Sequence, residues 1–310
     1  MQYKKKILIV GGLGQDGYNF TNYAINKGHM VYVIAKKNKK YIKRKNVYVK
    51  KIDISKPHRV YSLLKKFDSL DIYFFATHNI ASSQAENFLL LKKNITTNVN
   101  SLINFLEYIY KYNNKMKLFY SCSSHIFNQT RIFPQNEKTK VNFNSNYGLV
   151  KYLGKEICDF YRERKGVFCT VGILYNHVSK LLKGEFLIKQ LITKIKNSHN
   201  KYIYVNNPKS CIDIMSSRDA VRAMYKVMQL KKPGNFIIST NKATSVKMIS
   251  DEICRQLNIK KKILLKNSKP NNRQSYSPNL IGHNLKLIKQ TNWIPRDNLT
   301  DIVGLFLKKI

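Results

Sequence analysis

Glycine and proline are scarce, 13 and 7 in 310 residues, and this excludes a fibrous or low-complexity chain. Cysteine is scarcer still. The five present, Cys122, Cys158, Cys169, Cys211 and Cys254, are odd in number and form no C-x-x-C pair, so neither a disulfide framework nor a zinc site is expected. Long apolar runs are missing, which excludes a membrane-spanning helix. The opening MQYKKKILIVGGLGQDG has a basic head, but its apolar run meets glycine too soon for a secretory leader. A cytoplasmic protein without membrane attachment is expected.

Acidic residues are few as well: 17 Asp and Glu against 56 Lys and Arg give a formal net charge of +39. Only 10 of those 56 cations are Arg, and the Lys residues are spread along the whole chain. Nucleic-acid readout favours Arg concentrated on one element, so this composition argues against a dedicated nucleic-acid surface. A field of this sign still attracts a small molecule bearing a diphosphate. Hydrophobic residues at 43% are enough for a packed globule.

What is present is an alternation of strands and helices. Ile7–Val10 reads as a buried parallel strand, and a helix over Tyr18–Lys27 follows a glycine-rich turn. Further strands are expected at Met30–Ala35, Val47–Lys50, Ile72–Ala76, Lys117–Cys122 and Val167–Leu174, with helices near 57–67, 84–112 and 146–165. This is an α/β pattern: a Rossmann-type doubly wound parallel sheet over residues 1–175. Beyond 175 the order is irregular, with helices near 183–197, 217–230, 245–257 and 298–309 and short strands near 202–205 and 235–239. Residues 176–310 read as a smaller, interleaved substrate lobe, some segments of which return to the first domain.

Gly11, Gly14 and Gly17 are spaced G-x-x-G-x-x-G between the first strand and its helix. Such a turn lets backbone N–H groups approach a pyrophosphate at the positive end of a helix dipole. Dinucleotide binding follows, with Gln15 and Asp16 inside the turn. The second strand ends at Ala35-Lys36-Lys37, where an acid would hold a free ribose hydroxyl, so NADP is favoured and NAD is the alternative. Asp53, beside Ile54, ends the third strand and is a candidate acceptor for the adenine amino group.

Tyr147 and Lys151 stand four residues apart on one helix and project from one face. A neighbouring ammonium favours the phenolate, making the tyrosine a base for a sugar hydroxyl. Ser123, at the end of the preceding strand, would bind the same hydroxyl.

With these residues the chain resembles the extended short-chain dehydrogenase/reductases of the epimerase/dehydratase type, and among them the GDP-mannose 4,6-dehydratases. GGLGQDG, GILYNH at 172–177, the segment Arg273 to Gly282 and the tail Asn292-Trp293-Ile294-Pro295 carry the likeness over nearly the whole length. The resemblance implies oxidation of sugar C4 by hydride transfer to a nicotinamide. It makes Tyr147 the base, has Lys151 hold the nicotinamide ribose, and has Ser123 orient the 4-hydroxyl. Asn176, Lys189 and Arg273 would meet the diphosphate of a GDP-linked sugar, and His177 would lie near the cofactor. A homodimer or homotetramer is also implied.

Two departures matter. Dehydratases of this group carry a glutamate two places after the Ser or Thr, and here that place is His125; an imidazole is also a general base. Where the family has an Arg-Asp-Trp segment, Ile212-Asp213-Ile214 stands. Three outcomes share hydride transfer between sugar C4 and the nicotinamide: 4,6-dehydration through His125, 4-epimerisation, or 4-ketoreduction. A non-catalytic dinucleotide or RNA binder of the same fold would not need Ser123, Tyr147 and Lys151 together.

Overall fold

The computed structural model describes residues 4–36, 44–77, 88–181, 187–197, 202–205, 210–259, 264–267 and 279–307. The first half runs β1 (Lys6–Val10), α1 (Gln15–Asn26), β2 (Met30–Ala35), β3 (Val47–Lys51), α2 (Pro57–Leu64), β4 (Asp71–Phe74), α3 (Phe88–Asn94), α4 (Ser101–Tyr112), β5 (Lys117–Ser123), α5 (Asn146–Lys165) and β6 (Cys169–Leu174). After it come β7 (Asn176–Val178), α6 (Leu187–Lys196), β8 (Tyr202–Val205), β9 (Cys211–Ile212), β10 (Ile214–Ser216), α7 (Ser217–Met228) and β11 (Asn235–Ile238). The chain closes through β12 (Thr244–Ser245), α8 (Val246–Gln256), β13 (Leu264–Asn267), β14 (Asn279–Leu280), α9 (Leu285–Thr291) and α10 (Leu299–Leu307).

Seven parallel strands form the central sheet in the order β11, β6, β5, β4, β1, β2, β3. The expected doubly wound sheet is therefore observed. Ile7 to Val10 are fully buried because helices cover both faces. The chain leaves β1 towards β2 and β3, then returns to place β4 on the other side. Strand order reverses between β1 and β4, and a crevice opens at their C-terminal ends where such sheets take ligands.

The expected helix over 84–112 proves to be three pieces, apart from residues 84–87, which lie outside the described residues. α3 passes into a π-helical turn, Ile95–Asn100, before α4 begins. The wider turn brings Asn98 to the sheet, where its amide donates to Ala76 O at 2.9 Å and its Oδ1 accepts from Tyr120 OH at 2.6 Å. The helix expected from Tyr18 starts three residues earlier, at Gln15, because the glycine turn feeds directly into it.

Beyond 175 the chain divides between two cores. Met224, Val227, Phe236, Ile237, Leu287 and Trp293 complete the core of the large sheet, so α7, β11 and α9 belong to it. A separate core gathers Ile188, Leu191 and Ile195 of α6 with Ile249 and Ile253 of α8 and Val303 of α10. No helix among the described residues is long and apolar enough to cross a membrane.

Candidate active site

The glycine turn is shaped by close approach. Gly11 has φ +88°, and a side-chain carbon there would lie 2.8 Å from Ala76 N just past β4; one on Gly17 would lie 2.4 Å from Gly12 Cα. These two glycines let β1, α1 and β4 meet. Gly14 differs: a Cβ there meets nothing nearer than Gly11 O at 3.4 Å, and Gly14 caps α1 with no side-chain hydrogen bond. A helix start whose cap residue carries no side chain, placed at the strand-order reversal, fits the pyrophosphate of a dinucleotide.

Asp16 and His177 meet beside this turn. His177 Nε2 lies 2.8 Å from Asp16 Oδ1, and Nδ1 lies 2.8 Å from Tyr175 O. A carbonyl and a carboxylate both accept, so both ring nitrogens donate and the imidazole is a cation. Burial works against that charge, but Asp16 overcomes it and raises His177 to about 9. Burial likewise pushes Asp16 up, and His177 outweighs it, holding the carboxyl below its usual range. Gln15 Nε2 donates to His177 O at 3.1 Å.

The second group is built from β5, the short 3-10 turn Ser124–Phe127 and α5. Ser123 ends β5, and its hydroxyl accepts from His125 N at 3.3 Å. Ser145 caps α5 by accepting from Gly148 N at 3.0 Å, which starts the helix with Tyr147 in its first turn. The His125 and Tyr147 rings stand edge to face at 90°, with centroids 5.3 Å apart. Burial lowers His125 to about 4, so its imidazole is neutral at pH 7. Lys151, only 2% exposed, donates from Nζ to Ser121 O at 2.7 Å and sits 5.7 Å from the Tyr147 ring centroid. Burial lowers its ammonium to about 8, against the pull of Cys122 and Asp16. Ser123, His125, Tyr147 and Lys151 thus form one cluster, and the field of Lys151 reaches Asp16 of the glycine turn.

The remaining expected residues are more dispersed. Asp53 is held below its usual range chiefly by Ser55, whose Oγ and N donate to Oδ1 at 2.7 Å and 3.1 Å, with the charge of Lys36, exposed just past β2, adding to them. Ile54 is buried beside Asp53, with its carbonyl accepting from Asn104 at 3.0 Å. Asn176 is exposed on β7. Lys189 stands on α6, with Nζ 6.0 Å from the Phe306 ring centroid. Arg273 lies outside the described residues.

Sequence reasoning missed three supports. Asn98 ties the ends of β4 and β5 together. Gln135, fully buried, accepts from Tyr175 OH at 2.8 Å and donates to Ile132 O at 2.6 Å, fixing the loop that precedes α5. Asp213, noted only as part of a departure, accepts from Thr240 N and Oγ1 at 2.7 Å each, from Asn241 N at 2.8 Å and from Gly282 N at 3.3 Å. Burial raises it to about 6 against those four donors. A lone acid between two isoleucines was the one available signal.

Known proteins share this chain's family and fold. A family model described as GDP-mannose 4,6 dehydratase matches residues 8–305. GDP-mannose 4,6 dehydratase of Dictyostelium discoideum is 25% identical over 83% of this chain and 77% of its own. Among solved structures, UDP-glucose 4-epimerase of Thermotoga maritima, determined with UDP-glucose, superposes with TM-score 0.81 at 19% identity over 97% of this chain and 96% of its own. dTDP-glucose 4,6-dehydratase of Bacillus anthracis str. Ames, in complex with NAD, gives TM-score 0.79 at 19% identity over 97% of this chain and 96% of its own. The fold is that of the sugar epimerases and dehydratases, and the chain belongs to the GDP-mannose 4,6 dehydratase family.

Proposed function

We propose that this protein is a nucleotide-sugar 4,6-dehydratase that takes a GDP-linked hexose, GDP-mannose in the first instance, with NADP as resident cofactor. The observation that carries the reading is the cluster at the end of β5, where a tyrosine, a buried lysine and a neutral histidine meet within two ring contacts. The nicotinamide, when bound, supplies the two-electron acceptor for C4.

Tyr147, with the Lys151 ammonium beside it, takes the proton of the sugar 4-hydroxyl, which Ser123 orients. Once C4 is a ketone, the hydrogen on C5 is acidic. His125 then takes that proton. Its conjugate acid, near 4, matches the usual glutamate range of about 4.3, so the imidazole has the strength of the carboxylate it replaces. The imidazolium so formed is more acidic than an ordinary one and passes the proton to the departing C6 hydroxyl, which leaves as water. One side chain thereby moves one proton from C5 to O6. The hydride given up by C4 would then return from the nicotinamide to C6 of the resulting 5,6-ene and a solvent proton would add at C5, giving the 4-keto-6-deoxy sugar with the cofactor as it began.

Gly11, Gly14, Gln15, Asp16 and Gly17 would hold the cofactor diphosphate, Asp53 and Ile54 its adenine, and Lys36 a 2′-phosphate; the lack of an acid at the end of β2 supports NADP. Residues 1–175 would serve as the dinucleotide domain and 176–310 mainly as the substrate lobe, with Asn176, Lys189 and Arg273 towards the diphosphate. We place the enzyme in the cytoplasm as a homodimer or homotetramer. A second reading, 4-epimerisation or 4-ketoreduction, is favoured by the edge-on contact of His125 with Tyr147, which is also how a packing residue would sit. Incubation with NADP and GDP-mannose, followed by NMR of the sugar, tests the choice. A 4-keto-6-deoxy product is expected; an inverted C4 or an unchanged hexose would overturn dehydration.

A further inference from the structure

The first turn of α1 is strapped to β7 by more than the ion pair. Ser179, one residue past β7 and 8% exposed, donates to Gln15 Oε1 at 3.2 Å and accepts from Asn19 Nδ2 at 3.2 Å. Asn19 Nδ2 also donates to Gln15 O at 2.8 Å, and Gln15 Nε2 reaches the carbonyl of His177. Ser179 Oγ further accepts from Leu181 N at 3.3 Å, so one hydroxyl ties α1, the end of β7 and the start of the next segment.

The two ends of this strap have different tasks. α1 begins at Gly14, the open helix start that fits a pyrophosphate. β7 is where the chain leaves the large sheet: it pairs with β10 through Asn176 and Ile214, His177 and Met215, and Val178 and Ser216. Along it exposure falls from Asn176 through His177 to a buried Val178, so Asn176 faces out while the strap holds the strand from the other side. Moving α1 therefore moves Asn176.

We propose that Ser179 and Asn19 are positioning residues that couple the two half-sites, so that filling the cofactor cradle orders β7 for the nucleotide diphosphate, and the reverse. The inference rests on the dinucleotide and GDP-sugar reading above. A hydrogen-bonded strap restrains both elements together, so the ligand bound second loses less freedom than it would alone. Linkage then requires each ligand to tighten the other by the same factor.

NADPH affinity is measured by fluorescence titration with and without saturating GDP, and GDP affinity by calorimetry with and without NADPH, in the wild type and in Ser179→Ala. The wild type is expected to show reciprocal tightening of about 5-fold or more. Ser179→Ala, which replaces no residue placed against a ligand, is expected to lower that factor about 2-fold or more, the Asp16–His177 pair keeping the rest, while melting near the wild-type temperature. Asn19→Ala removes the other arm and is expected to do the same. A role in folding alone would lower stability and leave the factor unchanged, which would overturn the proposal, as would a wild type that binds both ligands independently. Failure of NADPH or GDP to bind the wild type at all would instead strike the reading of the site, and this inference with it.

Discussion

The glycine turn at the start of α1 and the cluster at the start of α5 sit at the same edge of the sheet but are built from different material. The turn works through backbone: Gly11 and Gly17 are demanded by contacts under 3 Å, and Gly14 leaves a helix start open. The cluster works through side chains whose charge is set by burial, with Lys151 near 8 and His125 near 4. Substitution should therefore harm the turn by shape and the cluster by protonation. The sharpest break between them is Tyr147→Phe, expected to reduce turnover about 10²- to 10⁴-fold with cofactor affinity intact. Equal losses in turnover and cofactor affinity would place Tyr147 in the binding surface.

Within the turn Gly14 and Gly17 should separate. Gly17→Ala forces a carbon to 2.4 Å from Gly12 Cα and is expected to lower stability by about 1–3 kcal/mol in denaturant unfolding. Gly14→Ala has room and should fold like the wild type, with the loss confined to the cofactor Kd. If the two variants unfold alike, the distinction between a packing glycine and a ligand-facing one is wrong.

Acidity sharpens the comparison because the two histidines carry opposite signs. His177 is raised from its ordinary 6.5 to about 9, so its contribution to stability is full below 6.5 and is lost as the pH rises through 9. His125 is lowered from 6.5 to about 4; the unfolded chain binds the proton more readily between those values, so stability falls as the pH drops through that window. Urea midpoints measured from pH 4 to 9 should thus decline at both ends. His177→Gln should flatten the basic decline and His125→Gln the acidic one; an unchanged basic limb in His177→Gln would remove the ion pair with Asp16 from the account.

The smallest effect expected is that of Ser145→Ala, which deletes the cap of α5 and should cost about 1 kcal/mol. Because Tyr147 stands in the first turn, fraying there should also slow turnover modestly. A stability loss with no change in rate would show that Tyr147 is held by its ring contacts instead.

Much of this was legible in the chain itself. Short apolar runs such as Ile7–Val10, each followed by turn residues, specify buried parallel strands, and the four-residue step from Tyr147 to Lys151 specifies one helix face. These are local signals. The supports were not legible, since Asn98 works only because a π-helical turn rotates it onto Tyr120, 22 residues away in sequence. Gln135 meets Tyr175 across 40 residues, and Asp213 gathers donors from 240, 241 and 282. Nor does sequence reveal that His177 is a cation: that follows from both ring nitrogens facing acceptors.

The most direct test of the account is the reaction run in D₂O with GDP-mannose and NADP, followed by NMR of the sugar. The proton that His125 takes from C5 leaves with O6 in water and C5 is reprotonated from solvent, so the 4-keto-6-deoxy product should carry deuterium at C5, and His125→Ala should form it far more slowly. A product with its original hydrogen at C5, or an undiminished rate in His125→Ala, would contradict the assignment of that proton to His125.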